Sequence, residues 1–399
     1  MNIIRKIAHR GFGAAMRLLI PLFPYREPTI LSSREDVTRV LSESGIKRVF
    51  LIAGRTVRGR GISTPLEELL KERGFLVTIY DRTQPNPTSD NVEEARELYI
   101  KDDCEAIIAF GGGSAMDLGK AVGARIVRPR LPLNKMAGLI KIRRRLPLFI
   151  AIPTTAGTGS ETTVASVIVD SATHHKYVIN DFCLIPRYAL LDPAVTVGMP
   201  KSLTATTGMD ALTHAVEAFI GRSTTKDTRR AAIEAVRLIF ENLERAYEMG
   251  DDIEARRNML RASYLAGTAF TKSYVGYVHA VAHTLGGKYG ISHGLANAIL
   301  LPKILRAYGV GAEKPLATLS RAVGLSDEAS SDHEAAEEFI SHIEGMNARM
   351  EISAKIDEIL PEDIPEMARL ADKEANPLYP VPVLWDRLEL EELYHLARK

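Results

Sequence analysis

The chain has 399 residues, of which 46% are hydrophobic and 25% charged, and its formal net charge is +1. This length predicts two domains, and the composition argues against a disordered or fibrous protein. The balanced charge argues against nucleic-acid binding, so we expect a small-molecule partner. The two cysteines, Cys104 and Cys183, form no CxxC pair, which favours a reducing, cytoplasmic environment.

Residues 1–25 form a basic amphipathic segment without an acidic residue. Three roles fit this pattern: an arm that packs on the catalytic body or a second subunit, a helix at a membrane surface, or a targeting peptide. Pro21 and Pro24 interrupt the apolar run, which weakens the targeting interpretation. We therefore expect an arm over residues 1–30, and leave open a peripheral membrane contact through residues 1–25.

Between residues 31 and 197, apolar runs alternate with amphipathic stretches, which is typical of a βαβ-type parallel sheet. The predicted strands are Val49–Ala53, Val77–Asp81, Ala106–Phe110, Leu148–Ile152 and Ser166–Val169. The predicted helices are Pro65–Arg73, Ser89–Lys101 and the stretch after Ser114. This part is predicted to be an α/β domain.

Residues 198–399 show long helical periodicities and little strand pattern. The predicted helices are Thr228–Met249, Ile253–Phe270, Lys314–Ala322, His333–Met346 and Ile364–Ala371. The second domain is therefore predicted to be all-α.

A glycine-rich turn, Gly111-Gly112-Gly113-Ser114, follows a predicted strand and leads into a helix that contains Asp117. Glycines let backbone N–H groups approach a pyrophosphate, and a helix N-terminus adds partial positive charge. The turn predicts a phosphate cradle, although a plain tight turn has the same composition.

A second polar loop, residues 153–161, follows the predicted strand Leu148–Ile152 and carries several hydroxyl groups. Hydroxyl groups are costly to bury without partners, so the loop is predicted to face a ligand such as a nicotinamide ribose or phosphate. A loop whose threonines satisfy one another is the alternative.

Two helical blocks carry groups suited to bind a metal or to transfer protons. Asp210 and His214 lie four residues apart, as do His279 and His283, and His293 follows. That spacing places each pair on one helix face. One oxygen and two or three imidazole ligands suit a single Fe²⁺ or Zn²⁺ ion. The adjacent pair His174-His175 is interpreted as a surface feature.

At this point the chain resembles the iron-containing (group III) alcohol dehydrogenase family. The matching segments are PNPT from Pro85, GGGSAMDLGKAVG from Gly111, IPTTAGTGSETT from Ile152, LLDPAVTVGMPKSLTATTGMDALTHAVEAF from Leu190 and GYVHAVAHTLGGKYGISHGLANAILLP from Gly276. The resemblance implies a Rossmann-type nucleotide domain over residues 31–197, a helical metal-binding domain over residues 198–399, and a metal ion in the intervening cleft.

The resemblance also implies roles for individual residues. The implied metal ligands are Asp210, His214, His279 and His293, with His283 as a proton-relay group beside nicotinamide and substrate. The implied cofactor-binding residues, to which we add Asp117, are Asn86, Gly112, Gly113, Ser114, Thr154, Thr155, Thr158 and Lys176.

Two positions depart from the family pattern. Ser292 replaces a common proline beside His293, and metal binding is expected to survive this change. Gly54, followed by Arg55, stands where relatives often have an aspartate that holds the adenosine ribose. Since loss of that carboxylate removes repulsion of a 2′-phosphate, we predict that Gly54 and Arg55 favour NADP(H) over NAD(H).

These features predict an alcohol dehydrogenase or aldehyde reductase that uses one divalent metal ion and acts on a small alcohol or aldehyde. Three alternatives stay open: a related glycerol dehydrogenase or dehydroquinate synthase, a metal-dependent hydrolase that uses the same Asp/His cluster, and a non-catalytic scaffold recruited by the N-terminal arm. We also expect a homodimer.

Overall fold

A computed structural model describes residues 7–11, 13–14 and 23–399 of the chain. The chain divides into two compact units. One unit is Pro24–Val197, and the other is Gly198–Lys399 together with the described residues up to Phe23.

The first unit contains nine strands and six α-helices among its described residues. The strands are β1 (Thr29–Leu31), β2 (Arg48–Gly54), β3 (Leu76–Thr83), β4 (Ala106–Gly111), β5 (Gly138–Leu139), β6 (Leu148–Pro153), β7 (Ala165–Val169), β8 (Lys176–Asn180) and β9 (Tyr188–Leu190). The helices are α1 (Arg34–Glu43), α2 (Arg55–Gly59), α3 (Thr64–Glu72), α4 (Ser89–Lys101), α5 (Gly113–Val127) and α6 (Leu133–Met136).

Six strands form one parallel sheet in the order β1-β9-β6-β4-β2-β3. Alternate residues of β2 point to opposite faces, so Phe50 and Ile52 join one hydrophobic cluster while Val49 and Leu51 join the other. Because both faces are covered, the central strands are almost continuously apolar. The parallel α/β fold predicted for this part of the chain is confirmed.

Residues Ser166–Val169 form a strand, as predicted, but the prediction that this strand belongs to the parallel sheet is wrong. This strand, β7, pairs antiparallel with β8 in a separate sheet of order β5-β8-β7. An apolar run identifies a strand but not its partner, and β8 is too exposed to show the pattern of a buried strand. The three-residue strands β1 and β9 were too short to predict.

The second unit is helical, and none of its described residues lies in a named strand. Its helices are α7 (Lys201–Ile220), α8 (Lys226–Glu248), α9 (Ile253–Ser273), α10 (Tyr277–Tyr289), α11 (His293–Ala307), α12 (Val310–Ala322), α13 (Asp332–Arg349), α14 (Ile364–Ala375) and α15 (Arg387–Ala397). Helix α7 is buried over most of its length, between α8, α9 and α11. A Cβ at Gly208 would lie 2.2 Å from Leu243 Cδ1, so glycine permits the close approach of α7 and α8. The predicted all-α second part is confirmed.

The N-terminal arm is described only in part. Arg10 donates hydrogen bonds to the carbonyl groups of Val381 at 2.9 Å and Pro382 at 2.7 Å. This contact is of the kind that a packing arm would make. Residues 1–6, 12 and 15–22, on which the membrane and targeting interpretations also depend, lie outside the described residues. In the part of the chain that the structure describes, no helix combines the length and the apolar character that crossing a membrane requires.

Candidate functional site

Three loops of the first unit follow the carboxyl ends of neighbouring parallel strands. Gly54 ends β2, Gly111 ends β4 and Pro153 ends β6, and these three strands are adjacent in the sheet. The backbone N–H of Thr154 donates to the carbonyl of Gly111 at 3.0 Å and joins two of the loops. The carboxyl edge of a parallel sheet is where nucleotides bind in this class of fold.

Two glycines of the turn before α5 leave space for threonines of the second loop. A Cβ at Gly112 would lie 3.3 Å from Thr155 Oγ1, and a Cβ at Gly113 would lie 3.1 Å from Thr158 Cγ2. Side chains at these positions would therefore push the two loops apart. Helix α5 begins at Gly113 without a side-chain cap and without an acidic residue in its first turn, which suits an anion at this helix N-terminus.

Lys120 is a fully buried cation that fastens α5 to the second loop. Its Nζ donates to the carbonyl groups of Ser160 at 2.6 Å, Thr163 at 3.0 Å and Ala165 at 2.9 Å, and also contacts the hydroxyl groups of Ser160 and Thr163. Burial lowers the pKa of Lys120 to about 8, against the attraction of Asp117 and Glu161. The lysine thus acts as a brace between the two loops.

Asp117 belongs to the same buried network. Its carboxylate accepts a hydrogen bond from the Ser160 hydroxyl at 3.2 Å. Desolvation raises the pKa of Asp117 to about 6 although Lys120 opposes this shift. Asp117 therefore contacts the second loop and the lysine that braces it, and its backbone carbonyl also accepts a hydrogen bond from the Ser166 hydroxyl of β7 at 2.7 Å.

Asn86 and Lys176 lie far apart in the chain but meet in the structure. Lys176 Nζ donates to Asn86 Oδ1 at 3.0 Å. A backbone hydrogen bond from Val169 to Pro87 holds the PNPT turn beside β7, the partner of the strand that Lys176 begins. The structure thus joins two residues that the family resemblance implied separately.

The turn after β2 carries Arg55 and Arg58, and Arg55 is one of the residues predicted to favour NADP(H). Arg58 forms an ion pair with Asp81 at 2.7 Å and a longer one with Glu67 at 3.7 Å. Arg55 is exposed, and no hydrogen bond or ion pair of its side chain occurs among the described residues. A Cβ at Gly54 would meet no heavy atom within 4 Å. Arg58 is therefore paired with an acidic neighbour, while the side chain of Arg55 is exposed.

In the second unit, four side chains converge from three helices. Asp210 and His214 project from α7, His279 from α10, and His293 from the first position of α11. One donor atom from each lies within 4.8 Å of the others. His293 Nε2, for example, lies 3.4 Å from Asp210 Oδ1. One carboxylate oxygen and three imidazole nitrogens at this spacing fit a single borderline divalent cation.

The four side chains differ in exposure. Asp210 and His279 are each 2% exposed and His214 is 5% exposed, whereas the side chain of His293 is 39% exposed. Three of the four residues are thus buried, and the cluster is accessible at His293. Burial, reinforced by repulsion from the neighbouring histidines, lowers the pKa of His279 well below its usual value, so this ring is neutral as a metal ligand must be.

Glu217 contacts His279 at Nδ1, the ring nitrogen that does not face Asp210. Its carboxylate accepts from the backbone N–H groups of Gly276 at 2.7 Å and Val278 at 2.8 Å, and from His279 Nδ1 at 2.6 Å. Desolvation raises the pKa of Glu217 to about 7, although the two backbone donors oppose this shift. A hydrogen bond from Nδ1 leaves the lone pair of His279 on Nε2, the nitrogen that faces Asp210.

Asn297 and Gly294 support the other end of the cluster. Asn297 Nδ2 donates to Asp210 Oδ1 at 2.7 Å and fixes that carboxylate. A Cβ at Gly294 would lie 2.3 Å from the carbonyl oxygen of Thr206, so only glycine lets the start of α11 approach α7. This close approach places His293 beside Asp210.

His283 lies beside the four-residue cluster without belonging to it. Its ring stacks on that of His293, with centroids 5.1 Å apart and an interplanar angle of 18°. Its Nδ1 lies 2.7 Å from Glu374 Oε1. The structure therefore brings together all five residues singled out in the two helical blocks, and it leaves His174 and His175 exposed, as predicted.

Sequence reasoning missed four residues that support these sites. Glu217 lies seven residues after Asp210 and Asn297 four after His293, so helical spacing was an available signal for both. Lys120 lies within the segment GGGSAMDLGKAVG, but the pattern of that segment assigns it no role. Glu374 carried no signal, because 91 residues separate it from His283.

Comparison with known proteins identifies the family. The model of the iron-containing alcohol dehydrogenase family matches residues 31–193, and the model of the C-terminal part of the same family matches residues 204–397. The chain therefore belongs to the iron-containing alcohol dehydrogenase family, which confirms the resemblance and makes it a metal-dependent, nicotinamide-linked oxidoreductase.

Individual relatives cover nearly the whole chain. A 1,3-propanediol dehydrogenase of Citrobacter freundii is 35% identical over 94% of this chain and 99% of its own length. An NAD-dependent methanol dehydrogenase of Bacillus methanolicus is 34% identical over 84% of this chain and 89% of its own. A crystal structure of a 1,3-propanediol oxidoreductase superposes with a TM-score of 0.90 at 34% identity, over 94% of this chain and 99% of its own.

Proposed function

We propose that this enzyme interconverts a small alcohol with the corresponding aldehyde, using one divalent cation, Fe²⁺ or Zn²⁺, and a nicotinamide dinucleotide. The observation that carries the proposal is the convergence of Asp210, His214, His279 and His293 to within 4.8 Å beside His283. When bound, the cation polarises the substrate oxygen as a Lewis acid, and the nicotinamide ring accepts or returns a hydride.

The chain contributes alignment and proton transfer. Asp210 and the three histidines would fix the cation, while Glu217 and Asn297 hold two of those ligands in place. His283, whose side chain is 42% exposed, would take the hydroxyl proton and pass it to solvent. This division of roles separates metal binding from proton transfer.

The first unit would bind the dinucleotide. The N-terminus of α5 and the backbone of Gly112, Gly113 and Ser114 would hold the pyrophosphate, with Thr154, Thr155 and Thr158 nearby on the second loop. Asn86 and Lys176 would contact another part of the cofactor as a hydrogen-bonded pair. Lys120 and Asp117 keep the two loops in register.

Within this function we propose a preference for NADP(H). Gly54 offers no carboxylate to repel a 2′-phosphate, and Arg55 offers a charge that is not engaged in an ion pair among the described residues. Arg58 is committed to Asp81, so it supports the preference only by neutralising that carboxylate.

Family membership favours this function over a hydrolase or a scaffold.

Three companion proposals concern partners: a small alcohol or aldehyde as substrate, a second copy of the chain, and peripheral membrane contact through residues 1–25. The second copy is supported by edge strand β1, where Ile30 is half exposed and, among the described residues, only β9 pairs with the strand. Light scattering tests the dimer, and sedimentation with anionic vesicles tests the membrane contact.

The main proposal is tested with protein purified without oxygen and mixed with NADP⁺ or NAD⁺ and a panel of short primary alcohols and diols. We expect metal-dependent formation of reduced nicotinamide. Hydrolysis of ester or phosphate substrates without any nicotinamide turnover would contradict the proposal and favour the hydrolase.

A further inference from the structure

Glu374, near the end of α14, contacts the ring of His283. Its Oε1 lies 2.7 Å from His283 Nδ1 and also accepts a hydrogen bond of 2.7 Å from the hydroxyl of Tyr379. The two contacts meet at a single carboxylate oxygen. Tyr379 thus holds Glu374, and Glu374 in turn holds His283.

The protonation state of this chain of contacts follows from its surroundings. Burial raises the pKa of Glu374, but its contacts with His283 and Tyr379 lower the pKa by more than burial raises it. The net pKa is below the usual value of a glutamate, so the carboxylate is ionised at neutral pH. Burial also raises the pKa of Tyr379 well above its usual value, so its hydroxyl remains a donor. An ionised carboxylate can only accept, so His283 Nδ1 carries the proton of this hydrogen bond.

One face of the His283 ring is also held in place, by a second histidine. The His283 ring lies against the His293 ring at a centroid distance of 5.1 Å. With Nδ1 bound to Glu374 and one face against His293, the imidazole is restrained in both rotation and tautomer. The lone pair of the neutral ring then resides on Nε2.

We propose that Glu374 is a positioning residue that fixes the tautomer and orientation of His283, so that Nε2 receives the proton released by the alcohol. The consequence for turnover rests on the proposed dehydrogenase function, whereas the tautomer itself does not. Nothing in the spacing of the sequence motifs connects Glu374 with this role.

The test uses zinc-loaded enzyme, which is diamagnetic, labelled with ¹⁵N-histidine. We expect His283, assigned by comparison with His283→Gln, to show a single Nδ1–H tautomer in the wild type. In Glu374→Met, which keeps the side-chain length but removes the acceptor, His283 should show a mixture of tautomers. Glu374→Gln keeps an acceptor oxygen and should restore most of the wild-type signal.

Turnover gives the second readout. Glu374→Met should lower kcat by about tenfold and change KM by less than about twofold, with zinc content unchanged, because the residue acts through a proton-transfer group. When Glu374→Met is added to the His283→Gln variant, kcat should not fall any further. The matched control is Glu313→Met, which removes an equivalent contact of 2.9 Å to His333 Nδ1 elsewhere in the helical unit and should leave kcat unchanged.

An unchanged His283 tautomer in Glu374→Met, or losses that multiply in the double variant, would overturn the proposal. If Glu374→Met does not fold, Tyr379→Phe provides the same test with a smaller expected effect in the same direction. If the wild-type enzyme oxidises no alcohol, the proposed function fails, while the tautomer measurement still decides the role of Glu374.

Discussion

The carboxylate of Glu217 lies 2.6 Å from Nδ1 of His279 and, with its two oxygens, caps the first turn of α10. A Cβ at Gly276 would lie 2.6 Å from Glu217 Oε1, so the glycine before α10 makes room for this carboxylate. One side chain thereby fixes both the start of a helix and the orientation of the His279 imidazole, a proposed metal ligand.

Replacing Glu217 by Gln should weaken metal binding by about 10–100-fold, as is usual when the partner of a metal-binding histidine is lost. Its amide NH₂ would face either the N–H of Val278 or both the N–H of Gly276 and Nδ1 of His279, so at least one of these contacts must break. The measurement is the dissociation constant for Zn²⁺ in competition with a chromophoric chelator. Glu248→Gln, an exposed change at the end of α8, is the control. Wild-type affinity in Glu217→Gln would show that the carboxylate serves the helix alone.

Lys120→Met should destabilise the first unit by roughly 3–5 kcal/mol, because two buried carbonyl groups and one partly buried carbonyl group lose their cationic donor. Urea unfolding followed by circular dichroism measures this loss, and fluorescence titration should show weaker binding of NADPH. Lys135→Met, an exposed change on α6, should alter neither quantity. Unchanged stability in Lys120→Met would mean that the second loop holds its conformation without the brace.

The two thiols should react slowly in the folded protein. Burial raises the pKa of the Cys104 thiol. Burial, together with the negative charge of Asp181, raises the pKa of the Cys183 thiol to about 12. Because the shift is upward, the unreactive thiol form persists through neutral and mildly alkaline pH. At pH 8 the Cys183 thiolate should be about a thousandfold rarer than for an ordinary cysteine.

Modification by a chromogenic disulfide should therefore be slow at pH 8 and accelerate by about tenfold per pH unit. The same protein in concentrated urea provides the control rate. Rapid, stoichiometric labelling of native protein at pH 8 would contradict the environment assigned to Cys183.

Gly54→Asp should shift the ratio of kcat/KM values from NADP(H) towards NAD(H), since the new carboxylate can bind ribose hydroxyls and repels a 2′-phosphate. The position tolerates the change, because its φ of −90° is ordinary and a Cβ meets no atom within 4 Å. Arg55→Ser should act in the same direction, whereas Arg73→Ser, at the exposed end of α3, should not. A wild-type enzyme that already prefers NAD(H) would refute this interpretation of the turn.

Much of the fold was predictable because its signals are local. The helix Ser89–Lys101 has the predicted bounds, and β4 differs from its prediction only by Gly111. Both were predictable because an apolar strand and an amphipathic helix can each be recognised from a few consecutive residues. The partner of β7 was not predictable, because pairing depends on a segment that shows no pattern of its own. The strands β1 and β9 were not predictable either, because three residues are too few to show a pattern.

The sites divide in the same way. Asp210 and His214, like His279 and His283, stand at helical spacing, so their convergence could be expected from the chain. Glu374 reaches His283 only through the packing of α14 against α10, which no spacing rule encodes. Reasoning from spacing therefore finds the groups that do the chemistry more readily than those that orient them.

The most direct test of the central claim is to strip the enzyme of metal with a chelator and restore Fe²⁺ or Zn²⁺ stepwise without oxygen. The formation of reduced nicotinamide from a short primary alcohol is followed at each addition. The account predicts that the rate rises linearly and saturates at one equivalent of cation per chain, and that His214→Ala binds little metal and stays inactive while remaining folded. A metal-free enzyme that retains the full rate, or a fully active His214→Ala variant, would contradict it.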